Sequence, residues 1–309
     1  MPWIPPEMRE ARGEIEAALR RELPRVVEEA DLRGDLQSHT TESDGVKTPR
    51  EVIALYRDMA YDFLAITDHR RVTIPESRMD EGMLLLSGIE LDYSLTGEVV
   101  HLVGFAVNQA VQDKVRYELG PQAGVEMIRR CGGRAILAHP HWSLNTLATL
   151  SGLTDITAAE IYNTMSYLRP DSSDVLDVAA AHGKLYPLVA ADDSHEYSGE
   201  AGVSYTMVQT EELTEEGIRR AMDAGLFYAS QGPRIEQISL EDGKMIVRCS
   251  PASRVYFHSN LPWTPGRAVI GREITQAVYP LQIAHGERFI RCQIIDPNGK
   301  NAWRSPIAL

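Results

Sequence analysis

Cationic residues are in short supply in this chain. There are 31 Lys and Arg against 44 Asp and Glu among 309 residues, a formal net charge of −13. A surface so poor in surplus cations is badly suited to tracking a phosphate backbone. A small-molecule substrate is therefore expected rather than a nucleic-acid partner. Cysteine is also scarce. Cys131, Cys249 and Cys292 are far apart, and none has a neighbour at metal-ligand spacing. This argues against a disulfide framework and against thiolate chemistry, and fits core thiols in a reduced, cytoplasmic protein. No run approaches the roughly 18 consecutive apolar residues of a membrane span. The opening Met1-Pro2-Trp3-Ile4-Pro5-Pro6 lacks the basic and apolar regions of a signal peptide. No repeat and no low-complexity tract is visible.

What remains is a globular composition, 43% hydrophobic and 24% charged, enough for one large domain and a small one. Residues 1–33 read as an N-terminal helical segment. Met8, Ala11, Ile15, Leu19 and Leu23 recur there at helical spacing. From Gly34 to Gln231 short apolar runs alternate with helical patterns, which predicts βα units around a mainly parallel sheet. Thr48 before Pro49, and Thr214 before the run to Ala224, read as helix N-caps. After Gly232-Pro233 the texture changes to short alternating runs at Ile235–Leu240, Met245–Cys249, Arg254–His258 and Phe289–Ile295. Turn residues separate them, the pattern of a small antiparallel β-sandwich over residues 232–309.

Five apolar runs end on, or lead into, a metal-ligand side chain. They are Leu36 into Gln37-Ser38-His39, Phe63–Ile66 into Asp68-His69, Met83–Leu86 into Glu90, Ala135–Ala138 into His139, and Leu185–Ala191 into Asp193-Ser194-His195. Functional side chains at the carboxyl ends of strands mark a barrel that works on one rim. Imidazoles and carboxylates gathered there predict a multi-metal site. Gln37 and His39 alternate on an extended segment, so both can face one cation. Asp44 follows in a Ser-Asp-Gly turn. His101 lies in the strand pattern Glu98–Phe105. Each alone has an ordinary reading as a core imidazole, a turn or a surface acid; their combination favours the metal site.

These motifs resemble the polymerase and histidinol phosphatase (PHP) superfamily, over roughly Arg33 to Ser230. The resemblance implies a distorted (β/α)7 barrel with two or three divalent metal ions (Mn, Fe or Zn) and phosphoester cleavage. It implies Gln37, His39, Glu90 and Asp193 as one ligand set. Glu90, His101 and His139 would form a second, and Asp44, His69 and His195 a third, with Glu90 bridging. The usual His-x-His opening is Gln37-x-His39 here, a weaker and neutral oxygen donor in place of an imidazole. The segments around Glu90, His101 and His139, with the C-terminal Asn301–Ile307, look like the carbaryl-hydrolase (CehA/McbA-type) branch. The opening Arg33-Gly34-Asp35-Leu36 looks like the PHP module of family X DNA polymerases.

The expected chemistry is metal-assisted hydrolysis, with Asp193, His195 and Glu90 as catalytic residues. His141 and Arg169 are candidate substrate contacts. A phosphoesterase acting on a small phosphorylated substrate leads. A carbamate or carboxylic ester hydrolase and a non-catalytic metal-binding regulatory module are the alternatives.

Overall fold

The computed structural model describes residues 31–309. The helix expected within residues 7–23 lies outside them. Residues 31–33, placed with that helical segment from the sequence, instead begin the first strand.

The strands are β1 (Asp31–Asp35), β2 (Phe63–Ala65), β3 (Arg78–Asp80), β4 (Met83–Leu86), β5 (Gly88–Leu95), β6 (Glu98–Phe105), β7 (Arg134–Leu137), β8 (Ala158–Asn163) and β9 (Leu188–Ala191). They continue with β10 (Tyr205–Gln209), β11 (Phe227–Ser230), β12 (Ile235–Glu241), β13 (Lys244–Ser259), β14 (Ala268–Pro280), β15 (Phe289–Ile295), β16 (Asn301–Trp303) and β17 (Ile307–Ala308). The helices are α1 (Pro49–Asp58), α2 (Val111–Lys114), α3 (Pro121–Arg130), α4 (Leu147–Gly152), α5 (Ser173–Ala181) and α6 (Glu215–Asp223). Helix α1 starts where the sequence placed it. The Thr48 hydroxyl accepts from the Glu51 amide while the Glu51 carboxylate accepts from the Thr48 amide, a reciprocal cap. Thr214 caps α6 by accepting from the Gly217 amide. No helix among the described residues is long and apolar enough to cross a membrane.

The strands form two open sheets, and a closed (β/α)7 barrel is not among them. One sheet has twelve strands, whose main path runs β12-β13-β15-β16-β11-β10-β1-β2-β4-β3; the other has five, in the order β5-β6-β7-β8-β9. Only β1–β2, β2–β4, β7–β8 and β8–β9 pair in parallel. The departure from βα alternation has a local cause. Strands β5 and β6 are joined by the two residues Thr96-Gly97, with Gly97 at φ 84°. So short a loop makes a hairpin, and its strands must run antiparallel. The chain also passes from β4 to β5 through Ser87 alone, without a crossover helix. A Cβ at Gly88 would sit 2.6 Å from the Ile66 carbonyl oxygen, so glycine is needed for that close approach. The two sheets meet on one face through isolated bridges, Ser38 to Ser194 and His69 to Glu90.

The C-terminal strands are antiparallel as expected, and they gather an apolar cluster of their own that includes Ile238, Val247, Val255, Phe257, Tyr279 and Ile294. They continue the large sheet: Ala229 and Ser230 of β11 pair with Trp303 and Ala302 of β16. The two runs read as separate strands, Met245–Cys249 and Arg254–His258, are the two halves of β13, whose pairing with β14 shifts register between Arg248 and Arg254. Such irregularities bend a strand. The first half pairs with β12 and the second with β15.

The apolar core crosses the Gly232 boundary. Trp303 is fully buried within the same cluster as Ile89, Leu102, Leu137 and Ile161, and stacks on Tyr162 with ring centroids 5.6 Å apart. The Arg291 guanidinium, also buried, forms a two-point ion pair with Asp177 of α5 at 2.6 and 2.6 Å. His258 lies 3.4 Å from Asp177 and hydrogen-bonds Gln293.

Candidate metal centre

Backbone hydrogen bonds set the register of the three segments that open the site. The amide of His39 donates to the Ser194 carbonyl at 3.0 Å, that of Asp193 to Gln37 at 2.9 Å, and that of Thr67 to Ser38 at 2.8 Å. On the other seam the amide of Arg70 donates to the Glu90 carbonyl at 2.8 Å, and that of Ala138 to His101 at 3.1 Å. Side chains from strand ends far apart in sequence are thereby brought to one place.

They converge as three overlapping groups: His39, Asp44, His69 and His195; Glu90, His101 and His139; and His39, Glu90 and Asp193. In each group the donor atoms lie within 4.8 Å of one another. His39 Nε2 is 2.9 Å from Glu90 Oε2 and 3.0 Å from Asp193 Oδ1. His101 Nδ1 is 2.7 Å from Glu90 Oε1, and His139 Nε2 is 3.6 Å from the same oxygen. Asp44 lies 3.6 Å from His69 and 3.5 Å from both His195 and His39. A neutral imidazole has one lone pair, so His39 can serve only one of its two groups.

Several donors fit a cation better than they fit each other. Despite their short distances, His39 Nε2 and Asp193 Oδ1 have no aligned hydrogen-bond partner, and neither has Gln37 Oε1; all three are buried. Buried polar atoms are rarely left this way. Imidazole nitrogens and carboxylate oxygens turned toward common points suit divalent Mn, Fe or Zn. Gln37 donates its amide nitrogen to Glu90 Oε2 at 3.0 Å, which leaves the unbonded oxygen as its one donor to a cation.

Electrostatics lead to the same conclusion. Burial opposes charging of His39, but Asp193 and Glu90 beside it hold its pKa well above the usual imidazole value. Burial would raise Glu90, yet the His101, His139 and His39 imidazoles around it bring it well below the carboxylate range. The His195 contact holds Asp44 low against a smaller opposing effect of burial. Without a cation, protons must supply the positive charge that these carboxylates demand.

A buried layer behind the groups fixes them. The Nδ1–H of His195 donates to the Asp193 carbonyl at 2.7 Å, and His139 Nδ1 meets Ser143 Oγ at 2.9 Å. In the donating tautomers, both rings keep Nε2 as the free donor atom. Glu160 accepts from the His139 amide and from Asn163, and Asn163 also reaches Asp193 Oδ2 at 3.3 Å. Asp35 accepts from Ser38 Oγ and from the Asp192 amide. Asp192 accepts from the amides of Gly202, Val203 and Ser204, and burial lifts its carboxyl to about 6. Glu200 accepts from the amides of His195, Glu196 and Tyr197. Two residues of these groups sit at positive φ, His139 at 29° and Asp193 at 54°. That backbone costs on the order of 1–3 kcal/mol at each non-glycine residue and is held by such surroundings.

Asp68 lies behind the loop rather than among the three groups. It accepts from the Thr40 amide and from the hydroxyls of Thr40, Ser43 and Thr73, which fixes the loop carrying Asp44. Gly45 in that loop is needed for space, since a Cβ there would lie 2.5 Å from the His39 carbonyl oxygen. His141 is on the rim, with its Nδ1–H donating to the Asp171 carbonyl at 2.8 Å. Arg169 is exposed and in none of the three groups. Arg134 is bound to Asp223 at 2.5 Å, away from the site. Arg70, which the sequence reading passed over, pairs with Asp92 at 2.6 Å beside His69.

Comparison with known proteins places the fold. A solved structure from Bacteroides vulgatus, a two-domain protein described as containing a "predicted PHP-like metal-dependent phosphoesterase", matches 93% of this chain and 98% of its own. The TM-score is 0.51 at 16% sequence identity. The chain therefore has the fold of the PHP-like proteins, as its motifs indicated. Two curated relatives match shorter stretches. DNA polymerase/3′-5′ exonuclease PolX of Bacillus subtilis is 38% identical over 69 residues, and 5′-3′ exoribonuclease Rnm of Salmonella typhimurium is 35% identical over 82. The matches span 12% and 28% of those two proteins. No family model matches the chain.

Proposed function

We propose that the chain is a metal-dependent hydrolase whose ligands are Gln37, His39, Asp44, His69, Glu90, His101, His139, Asp193 and His195. The observation that carries this reading is the sharing of Glu90 between two neighbouring donor groups. A buried carboxylate with one oxygen toward His39 and the other toward His101 is built to join two cations.

Bound divalent cations would supply Lewis acidity toward both the attacking water and the ester. The chain's own residues do the rest. Glu90 and His39 fix the spacing of the groups. The Asp193 carbonyl holds the tautomer of His195, and Asn163 steadies the Asp193 carboxylate. Asp193, or His195 where its Nε2 is not holding a cation, is the group proposed to take a proton from the attacking water and pass it to the leaving oxygen. A small phosphoester is the substrate class we favour, on the likeness to PHP-like proteins and the demand of this acidic site for cations that would also attract an anion. Carbamate or carboxylic ester hydrolysis is the competing outcome of the test.

The test is a panel with added Mn²⁺: p-nitrophenyl phosphate, bis(p-nitrophenyl) phosphate, p-nitrophenyl acetate and an aryl carbamate. Metal-dependent turnover of a phosphate, abolished by chelator, is expected. Turnover confined to the acetate or carbamate would move the substrate class. No turnover of any of the four with metal bound would favour the regulatory-module reading.

A further inference from the structure

We infer that Trp142 forms one wall of the substrate pocket and selects esters that carry a planar aromatic group. The inference rests on reading the site as an ester-hydrolysing metal centre. Trp142 follows His139 by three residues, on the loop after β7. Its ring stands edge-on to His139 with centroids 4.9 Å apart, and to His101 at 6.0 Å. It is thus the aromatic neighbour of the Glu90, His101 and His139 group. It is not a core residue, because 43% of its surface is open to solvent.

Its surroundings repeat the pattern. Twelve large apolar side chains are exposed among the described residues, and four of them lie on two loops: Trp142 and Leu144 after β7, Tyr167 and Leu168 after β8. The loops are tied together. The His141 amide donates to Ser172 Oγ at 3.2 Å, and its ring donates to the Asp171 carbonyl. Tyr167 is anchored by a hydrogen bond to Glu200. Apolar surface left open beside a charged site costs solvation unless something covers it. A flat ring stacks on an exposed indole face, whereas a saturated ring of similar size gains only contact area.

The experiment measures binding to the Mn²⁺-loaded full-length protein by calorimetry, using inert analogues so that reactivity does not intervene. Phenylphosphonate is compared with cyclohexylphosphonate. The aromatic analogue is expected to bind about tenfold more tightly, within the range for stacking on an aromatic side chain. In Trp142→Ala the ratio of the two dissociation constants should collapse toward one, and in Trp142→Phe most of it should remain. A second pair, the non-hydrolysable methylenephosphonate analogues of adenosine 5′-monophosphate and ribose 5-phosphate, measured with the same Mn²⁺-loaded protein, asks whether a nucleobase is the natural ring. Selectivity there supports a nucleotide source, and selectivity in the phenyl pair alone supports a simple aryl ester. Equal affinities within both pairs in the unaltered protein would overturn the inference, as would a Trp142→Ala variant that weakens both phosphonates alike. If neither phosphonate binds but phenyl N-methylcarbamate outcompetes its cyclohexyl counterpart in a Trp142-dependent way, the phosphoester reading fails and the role of Trp142 stands.

Discussion

Trp303→Ala should destabilise the whole molecule and its metal site together, although Trp303 lies in the C-terminal strands. The side chain is fully buried in the cluster that underlies β5 to β9. Truncating a buried Trp costs about 3–5 kcal/mol in lost transfer energy and cavity. One feature lowers that figure. The Trp303 indole nitrogen is buried without a hydrogen-bond partner, and removing an unsatisfied donor recovers on the order of 1 kcal/mol or more. The net loss is therefore about 3 kcal/mol. Trp303→Phe keeps most of the stack on Tyr162 and removes the orphan N–H, so it should cost less than about 1.5 kcal/mol. Urea unfolding followed by far-UV circular dichroism and by tyrosine fluorescence checks both. A single transition shifted by about 3 kcal/mol in the alanine variant is expected, with unchanged slope. A loss below 1 kcal/mol, or a first transition that leaves metal binding intact, would refute the claim that the C-terminal strands complete the core.

The other predictions are as follows. A fragment ending at residue 231 should fail to bind metal and should aggregate, because it exposes the β11 edge and the Trp303 pocket; a soluble, metal-bound fragment in size-exclusion chromatography would count against the shared core. Gln37→His should bind Zn²⁺ or Mn²⁺ more tightly at pH 7.5, with affinity that falls more steeply toward pH 5.5, since imidazole must lose a proton to ligate and an amide need not; unchanged chelator titrations for both Gln37→His and Gln37→Ala would remove Gln37 from the ligands. Metal-free protein should lose thermal stability as pH rises above about 6.5. His39, His101 and His195 all have raised pKa values, against burial that opposes their charging. Their contribution is full below the unfolded imidazole pKa and is lost as pH climbs through the folded values. Added metal should stabilise more over the same rise, and a metal-free melting temperature that increases with pH would contradict this.

The convergence of the candidate groups was legible because strand ends and side chains able to hold a metal coincide locally, as at His39, His69 and His139. The layer that holds them was not. Asp35 meets the Asp192 amide across 157 positions of sequence, and no local pattern marks a carboxylate for such a partner. Nothing in the sequence around Glu160 and Asn163 sets them apart from the other residues of β8. The parallel barrel was over-read because Thr96-Gly97 was not recognised as a hairpin turn, and the bent strand β13 was split at Ser250-Pro251. The C-terminal composition change at Gly232 is real, but composition says nothing about which sheet a strand joins.

The most direct test is the metal content of protein purified without chelator, compared with Glu90→Gln. The unaltered chain should carry more than one equivalent of Mn, Fe or Zn and hydrolyse a phosphate ester. The variant should stay folded, lose at least one equivalent and lose activity by a factor of 100 or more, about 2.7 kcal/mol of transition-state stabilisation. A folded chain that takes up no divalent metal, or a Glu90→Gln variant with full metal and full activity, would contradict the account.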